Sequence, residues 1–476
     1  MLATGLVVLF LDMAFHGKEG RREWLPFVAI VGLVVFLIAT SFLWGAHASL
    51  LSDMMAVDSF ALFFKVVAGL ATLLVILASW DYFQGKTPYE GEFYALIVLA
   101  ALAIALAAAS TDLIMVYLSM EFLSIGSYIL VGYLRDDPKS NEGAIKYFLY
   151  GAVASGIMLY GMSLVYGVTG TTNLAQIAAT LAAGKLTGGM LWLMLPALVM
   201  LLAGFGFKIA LVPFHQWSPD AYEGAPTPVT AFLSVGPKAA GFAILMRVFL
   251  AAFPAFQLDW TAVLAAISMI TMTLGNVVAL KQTNIKRMLA YSSIAHAGYI
   301  LIGFASVALD SPSLFNGVNG VLLYLLAYLF SNVGIFVAVI AFENATGSNQ
   351  IPDYAGLIKR SPWLAGTLFV LLLSLTGIPA TGGFLGKFFV FAAAINMQFY
   401  VLALVGIVNS VIAAFYYLNV ARYIFFVPSE QESHVAIAPA LAVALGIATA
   451  ATLFIGLYPQ PFIEFANQSV RLLGVF

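Results

Sequence analysis

The sequence predicts an all-α polytopic membrane protein of about fourteen transmembrane helices, with two inverted five-helix repeats that each contain a broken helix. Three observations carry that prediction. Apolar runs of about 20 residues recur along the whole chain, the length that crosses a hydrocarbon core. Hydrophobic residues make up 62% and charged residues only 9%, where an average soluble protein has ~25% charged. Two of the runs are interrupted by proline and glycine beside a lysine.

In chain order, the first run is Leu2 to Phe15, about 14 residues against the ~20 that a span needs. Its basic residues, Lys18, Arg21 and Arg22, follow it, which is the wrong side for a signal peptide. It is expected to be a first span whose beginning is missing. Uninterrupted runs then predict spans at 25–45, 60–80, 93–110, 112–134 and 143–168. The segment NLAQIAATLAAG, 173–184, reads as an interfacial helix. The seventh span, 190–212, breaks at Pro213 and is expected to continue as a short piece near 227–236, after Pro219 and Pro226. Spans at 238–252, 261–280, 285–307 and 317–342 follow. The twelfth is broken, 363–376 continuing as 382–397, and spans at 400–425 and 437–458 complete the series. The organisation is therefore 1–92 (helices 1–3), 93–252 (first repeat, helices 4–8), 261–425 (second repeat, helices 9–13) and 437–476 (helix 14 and tail). The two breaks lie about five spans apart, an odd number that inverts the second unit, and matched broken helices in inverted repeats are the signature of a transporter core.

Basic residues set the orientation. One set of alternate loops holds 13 Lys and Arg (18, 21, 22, 86, 135, 139, 146, 281, 286, 287, 359, 360, 422), and the other holds only Lys185 and Arg471. The first set is expected on the cytoplasmic side, with both termini on the outer side.

Charges inside the apolar runs are the candidate functional residues. A central Lys or Asp costs ~2.5–3.5 kcal/mol even on the lenient insertion scale. Lys208, Lys238 and Lys387 are three cations set against one mid-span anion, Glu121 in VYLSMEFLSIGSYIL. Like charges 8 Å apart repel by about 2 kcal/mol at an effective dielectric of ~20, and burial disfavours the ammonium form. At least one of these lysines is therefore expected to be neutral, or to share a proton, at rest. The competing reading is a fixed Glu121–Lys208 pair that locks helices together. His215, behind Pro213, and His296, in LAYSSIAHAGY, suit relay work or a hydrogen bond that holds structure. Lys65 and Arg247 lie nearer span ends and read as snorkelling side chains. Asp220 and Glu223 are expected to cap or tie the segment after the first break, and Asp12 and Asp112 to be interfacial. The sequons at Asn344 and Asn467 read as chance matches.

Composition also excludes. With no Cys, this chain has no disulfide, no thiolate metal site and no Cys-held iron–sulfur cluster. The five His (16, 47, 215, 296, 434) lack metal-ligand spacing. No basic cluster reads as nucleic-acid binding, and no glycine-rich nucleotide motif or nucleophile–base pair is present. The residues describe a proton or cation translocator, not a catalyst.

Three stretches carry a resemblance. FGFKIALVPFHQWSPDAYEGAPTPVTAFLSVGPKAA, QTNIKRMLAYSSIAHAGY and LTGIPATGGFLGKF resemble the antiporter-like membrane subunits of respiratory complex I, NADH:quinone oxidoreductase. The wording PDAYEGAPTPV, with Lys238 after SVGP, is most similar to the N-type subunits, counterparts of mitochondrial NADH dehydrogenase subunit 2, rather than to the M or L paralogues. The resemblance implies a fourteen-helix core in which Glu121, Lys208, Lys238 and Lys387 occupy the motif positions of the fifth, broken seventh, eighth and broken twelfth helices. It implies that Glu121 pairs with Lys208, that protons pass among the three lysines through water with His215 and His296 as candidate relays, and that Lys387 is the terminal carrier. It implies a translocase subunit of the bacterial cytoplasmic (inner) membrane with no redox catalysis of its own. NAD, FMN, iron–sulfur clusters and quinone are then expected in partner subunits, with no cofactor on this chain. The implied partners are membrane-arm subunits of types A, H, J, K, L and M, the lipid bilayer and protons. A subunit of a multi-subunit sodium/proton antiporter or of a membrane-bound hydrogenase is the alternative, and a scaffold that moves no ion is the bland one.

Overall fold

The computed structural model describes residues 1–15, 21–84, 86–183, 189–308, 315–429 and 433–470. His16, Lys18, Lys185 and Arg471 lie outside the described residues, as do the side chains of Arg21 and Arg22. In chain order come α1 (Leu2–Ala14), α2 (Arg21–Phe42), a hairpin of β1 (Ala48–Leu50) and β2 (Met55–Val57), α3 (Ser59–Ser79), α4 (Glu90–Ala109), α5 (Leu113–Val131), α6 (Pro138–Thr169) and α7 (Leu174–Ala182). Then follow α8 (Gly189–Ile209), α9 (Trp217–Gly224), α10 (Thr227–Ala252), α11 (Gln257–Ala279), α12 (Ile285–Ala305) and α13 (Gly317–Thr346). The chain continues with α14 (Leu357–Arg360), α15 (Pro362–Thr376), α16 (Gly382–Asn396), α17 (Tyr400–Phe426), α18 (Pro439–Leu457) and α19 (Gln460–Val470). Among the described residues, 12 helices are long and apolar enough to cross a membrane. The short apolar α1 and the pair α15–α16 fill the other two expected positions.

Apolar composition alone does not say which helix is central, because lipid tails are as apolar as Leu. The structure does. Helices α10 and α13 are buried along their whole apolar length and α12 nearly so, while α2, α6, α17 and α18 turn most of theirs outward. The central three are also the helices that carry Lys238, His296, Ser293, Tyr324 and Asn332. Polar side chains are costly against lipid, so they select the middle of the bundle.

Two expectations are corrected. The first concerns the eighth span. Residues 227–236 are not the second half of the broken seventh span; they join 238–252 in one continuous helix, α10, with Pro237 inside it. The second half of the seventh span is α9. An internal proline breaks a lone helix because it lacks an N–H and crowds the preceding turn, but here the helix is enclosed by neighbours, which is where such prolines are tolerated. Asn332 donates to Ser234 Oγ at 2.6 Å, one turn before Lys238, and pins that part of α10 to α13.

The second concerns Arg247, which does not snorkel. It is buried and makes a bidentate pair with Asp58, Nη1 to Oδ2 and Nη2 to Oδ1, each 2.8 Å, while its Nε donates to the Ala108 carbonyl at 2.9 Å. Asp58 also caps α3 by accepting from the Ala61 N–H at 2.7 Å. The Asp58–Arg247 pair therefore ties the start of α3, the end of α4 and the last turns of α10. Lys65, in contrast, is half-buried.

Replacing Arg247 by Met is expected to leave Asp58 charged and unpaired in a dry site, at a cost of roughly 3–5 kcal/mol. Thermal denaturation of the protein in native membranes measures it. The double variant Arg247→Met with Asp58→Asn is expected to recover most of the loss.

Candidate functional site

At the first break, α8 ends at Ile209, Ala210 takes a positive φ of 58°, and α9 starts at Trp217. The interruption frees backbone groups at membrane depth, and they need partners from the protein. The Trp217 indole donates to the Phe207 carbonyl at 3.0 Å, and the Val212 N–H donates to Thr271 Oγ1 at 3.1 Å. Trp217 stacks on Tyr147 of α6 with ring centroids 4.0 Å apart. Lys208, in the last turn of α8, is buried and donates to Ser124 Oγ of α5 at 2.9 Å.

The expected Glu121–Lys208 ion pair is absent from this structure. Glu121 is half-buried and accepts from Ser155 Oγ of α6 at 2.5 Å, while Ser124 takes the lysine. The spacing explains it. Ser124 lies three residues after Glu121, on the same side of α5 but about 4.5 Å further along it, and the shorter reach from Lys208 is to the serine.

At the second break, α15 ends at Thr376, Gly377 takes φ of 91°, and α16 starts at Gly382. Lys387 is buried, and its Nζ donates to the freed Thr376 carbonyl at 2.8 Å. Gly377 is required twice over: its backbone is left-handed, and a Cβ there would lie 2.8 Å from Lys387 Cδ. Ser374 Oγ accepts from the Gly383 N–H at 3.0 Å and shares a 2.7 Å hydrogen bond with Ser331 of α13. The Tyr299 ring lies under the ammonium, 4.6 Å from Nζ to its centroid. A groove of about 520 Å³ between α16 and α17 reaches Lys387 from outside, and another of about 580 Å³ runs beside the first break along α6.

Between the breaks, Lys238 sits mid-way along α10. Its Nζ donates to the backbone carbonyl of Ser293 and to its Oγ, the latter at 2.7 Å. Tyr222 of α9 shares a 3.3 Å hydrogen bond with the same Oγ. His296 is bonded on both ring nitrogens, Nδ1 to Tyr324 OH at 2.8 Å and Nε2 to Tyr417 OH at 3.1 Å, and Tyr417 OH is bonded in turn to Ser292. His296 lies three residues from Ser293, which holds Lys238, and three from Tyr299, whose ring lies under Lys387. The structure thus brings Lys238, His296 and Lys387 into one buried polar seam. It leaves His215 apart: that ring is half-buried in the break, its Nδ1 has no hydrogen-bond partner, and among the described residues nothing bonds it to any of the three lysines. Tyr147 OH, Ser218 Oγ, Tyr328 OH and Asn332 Oδ1 are also buried without a protein partner. Orphans of that kind mark places for ordered water.

The residues that sequence reading missed are neutral ones: Ser124, Ser155, Ser293, Tyr299, Tyr324 and Tyr417. A signal existed for some of them. Ser293, His296 and Tyr299 are spaced three apart, which puts them on one face of α12. Asp220 and Glu223 tie α9 as expected, with Lys146 and Arg287 each 2.7 Å from Asp220, Arg287 3.1 Å from Glu223 and Lys139 3.4 Å from Glu223. Asp112 caps α5, accepting from the Ile114 N–H at 2.8 Å. Among the described residues no His, Asp and Glu cluster is arranged to hold a metal.

Comparison with known proteins follows the same lines. The family described as NADH:quinone oxidoreductase/Mrp antiporter, TM, matches residues 110–413. NADH-quinone oxidoreductase subunit N of Trichlorobacter lovleyi is 43% identical over 472 residues, covering 98% of this chain and 95% of that one. Among solved structures, a chain of respiratory complex I from Thermus thermophilus has TM-score 0.81 at 31% identity, covering 97% of each chain. A chain of the Mrp complex from Dietzia sp. has TM-score 0.84 at 23% identity, covering 98% of this chain and 96% of that one, a likeness of fold alone.

The second break gives a steric test. A Cβ at Gly383 would lie 1.9 Å from the Ser374 carbonyl oxygen, whereas one at Gly366 meets open space. Gly383→Val is expected to cost at least about 3 kcal/mol and to lower the chain's abundance in membranes several-fold, with Gly366→Ala near wild type. Quantitative immunoblotting checks both.

Proposed function

This chain belongs to the family of NADH-quinone oxidoreductase N subunits, and from that premise we propose that it carries protons across the membrane along its buried lysines. It is a multi-pass membrane subunit of a translocase complex. Electron transfer and quinone chemistry, with NAD, FMN and iron–sulfur clusters, belong to partner subunits of the same complex. Its membrane-arm neighbours are of types A, H, J, K, L and M. It sits in the bacterial cytoplasmic membrane. The end that carries Lys139, Lys146 and Arg287 faces the cytoplasm, and both termini face outward. Residues 93–252 and 261–425 are the two inverted units, each contributing one break.

One observation carries the relay reading. Lys208, Lys238 and Lys387 are all buried, and each donates to a neutral oxygen, with no carboxylate in ion-pair distance among the described residues. A buried lysine kept for structure alone is normally paired, because an uncompensated buried charge costs several kcal/mol. A lysine with hydroxyl and carbonyl partners can take up or lose a proton without stranding a counter-ion. A proton gained at one site repels its neighbours by about 2 kcal/mol at 8 Å and an effective dielectric of ~20, so loading one lysine favours release from the next. Neutral His296 has one donor and one acceptor nitrogen, and each faces a tyrosine hydroxyl that can play either part. A proton accepted on one side can leave on the other as the hydroxyls turn. Glu121, held by Ser155, modulates Lys208 through space.

Lys208→Ala is expected to lower proton pumping in vesicles bearing the assembled complex by at least about tenfold, with assembly on native gels unchanged. Pumping at the wild-type rate would return Lys208 to a structural role. Lys387→Ala separates the relay from a scaffold, which predicts no loss. Pumping is expected not to depend on sodium; a sodium requirement would favour the antiporter reading.

A further inference from the structure

Lys387 raises a problem that the relay leaves open. An ammonium in this position needs negative charge, and no carboxylate can supply it. Helix α16 packs against α12, α13, α15, α17 and α18. The only acid in those six helices is Glu343, at the far end of α13, where it accepts from Thr227 Oγ1 at 2.5 Å and from Tyr82 OH at 3.2 Å. The titratable groups that face the site are His296 and Tyr299 from α12, Tyr324 and Tyr328 from α13, and Tyr416 and Tyr417 from α17. Helices α15 and α18 contribute none.

We propose that Tyr299 is a positioning residue that stands in for a counter-carboxylate, its ring face stabilising the ammonium form of Lys387. The ring centroid lies 4.6 Å from Nζ, inside the ~6 Å range of a cation–π contact. Such contacts strengthen when desolvated, and Tyr299 is fully buried. The ring is also clamped. Asn276 of α11 donates to the Tyr299 hydroxyl at 2.9 Å and to Asn409 of α17 at 3.2 Å, and it accepts from Tyr416 OH at 3.0 Å. Asn409 is tied in turn to Thr273 Oγ1 at 3.1 Å. Four polar side chains with no part in the lysine line therefore fix the ring that lies beneath Lys387. A ring face attracts a cation without accepting its proton, which suits a carrier that must be charged at one step and neutral at the next.

The inference rests on the relay reading for its purpose but not for its test. In membranes holding the assembled complex, modification of Lys387 by a small membrane-permeant acylating reagent is followed by mass spectrometry across pH, since only the neutral amine reacts. Tyr299→Phe keeps the ring and is expected to match wild type. Tyr299→Leu removes it, and the labelling midpoint is expected to fall by about one pH unit. Tyr299→Met fills similar space without a ring and replaces Leu if that variant does not assemble. A midpoint equal to wild type in the ringless variant that assembles overturns the proposal, and so does a Phe variant that shifts as far as that ringless variant. Pumping is measured alongside. A shifted midpoint with normal pumping keeps the ring's role and sinks the relay; an unshifted midpoint with lost pumping does the reverse.

Discussion

The absence of water in the hydrocarbon core is the constraint on which the rest of this structure depends. A helix that breaks there frees carbonyls and N–H groups, and a lysine there lacks a solvation shell. The second break answers both needs at once, because the Thr376 carbonyl freed by the break accepts from Lys387. The first break divides the work. The Phe207 carbonyl accepts from both the Ala210 N–H and the Trp217 indole, and Lys208 reaches Ser124 instead. The two breaks are related in sequence pattern, yet different atoms satisfy them.

The same constraint produces a contrast within one chain. Asp58 and Arg247 form a bidentate pair whose geometry and charge are fixed, and that pair ties three helices. The three mid-membrane lysines receive hydroxyls and carbonyls. An arginine does not give up its proton in a protein, whereas a lysine's proton affinity moves readily with its surroundings. The chain thus places the immovable cation where it needs a clasp and the adjustable ones along its axis.

Much of this was legible in the residues, for physical reasons. Span number follows from apolar length, and both breaks follow from proline and glycine beside lysine. Glu121, Lys208, Lys238 and Lys387 stand out because charge is costly in lipid. Contacts between helices were not legible. Whether Pro237 ends a helix depends on what encloses it, and whether Arg247 snorkels depends on Asp58, 189 positions away. The Glu121–Lys208 pair failed at a finer scale, since one turn of helix separates a carboxylate from the serine that takes its place. Neutral partners escape a reading built on charge. His296 was found by its type, and Tyr299, three residues on, was not.

The packing around this seam limits what can move. A Cβ at Gly317 would lie 1.9 Å from the Gly303 carbonyl oxygen, and one at Gly298 would lie 2.8 Å from the Met272 nitrogen, so α12 meets α13 and α11 backbone to backbone. Helices in such contact cannot slide by a turn without separating. Side chains and water remain free to respond: the hydroxyls of Tyr324, Tyr417 and Ser292 can rotate, and the orphaned Tyr328 OH and Asn332 Oδ1 can gain or lose a water. Each change is small in free energy and local in extent. On the proposed relay, a line of lysines held by rotatable neutral groups inside a rigid helical frame would change its proton occupancy while the helices stay in place.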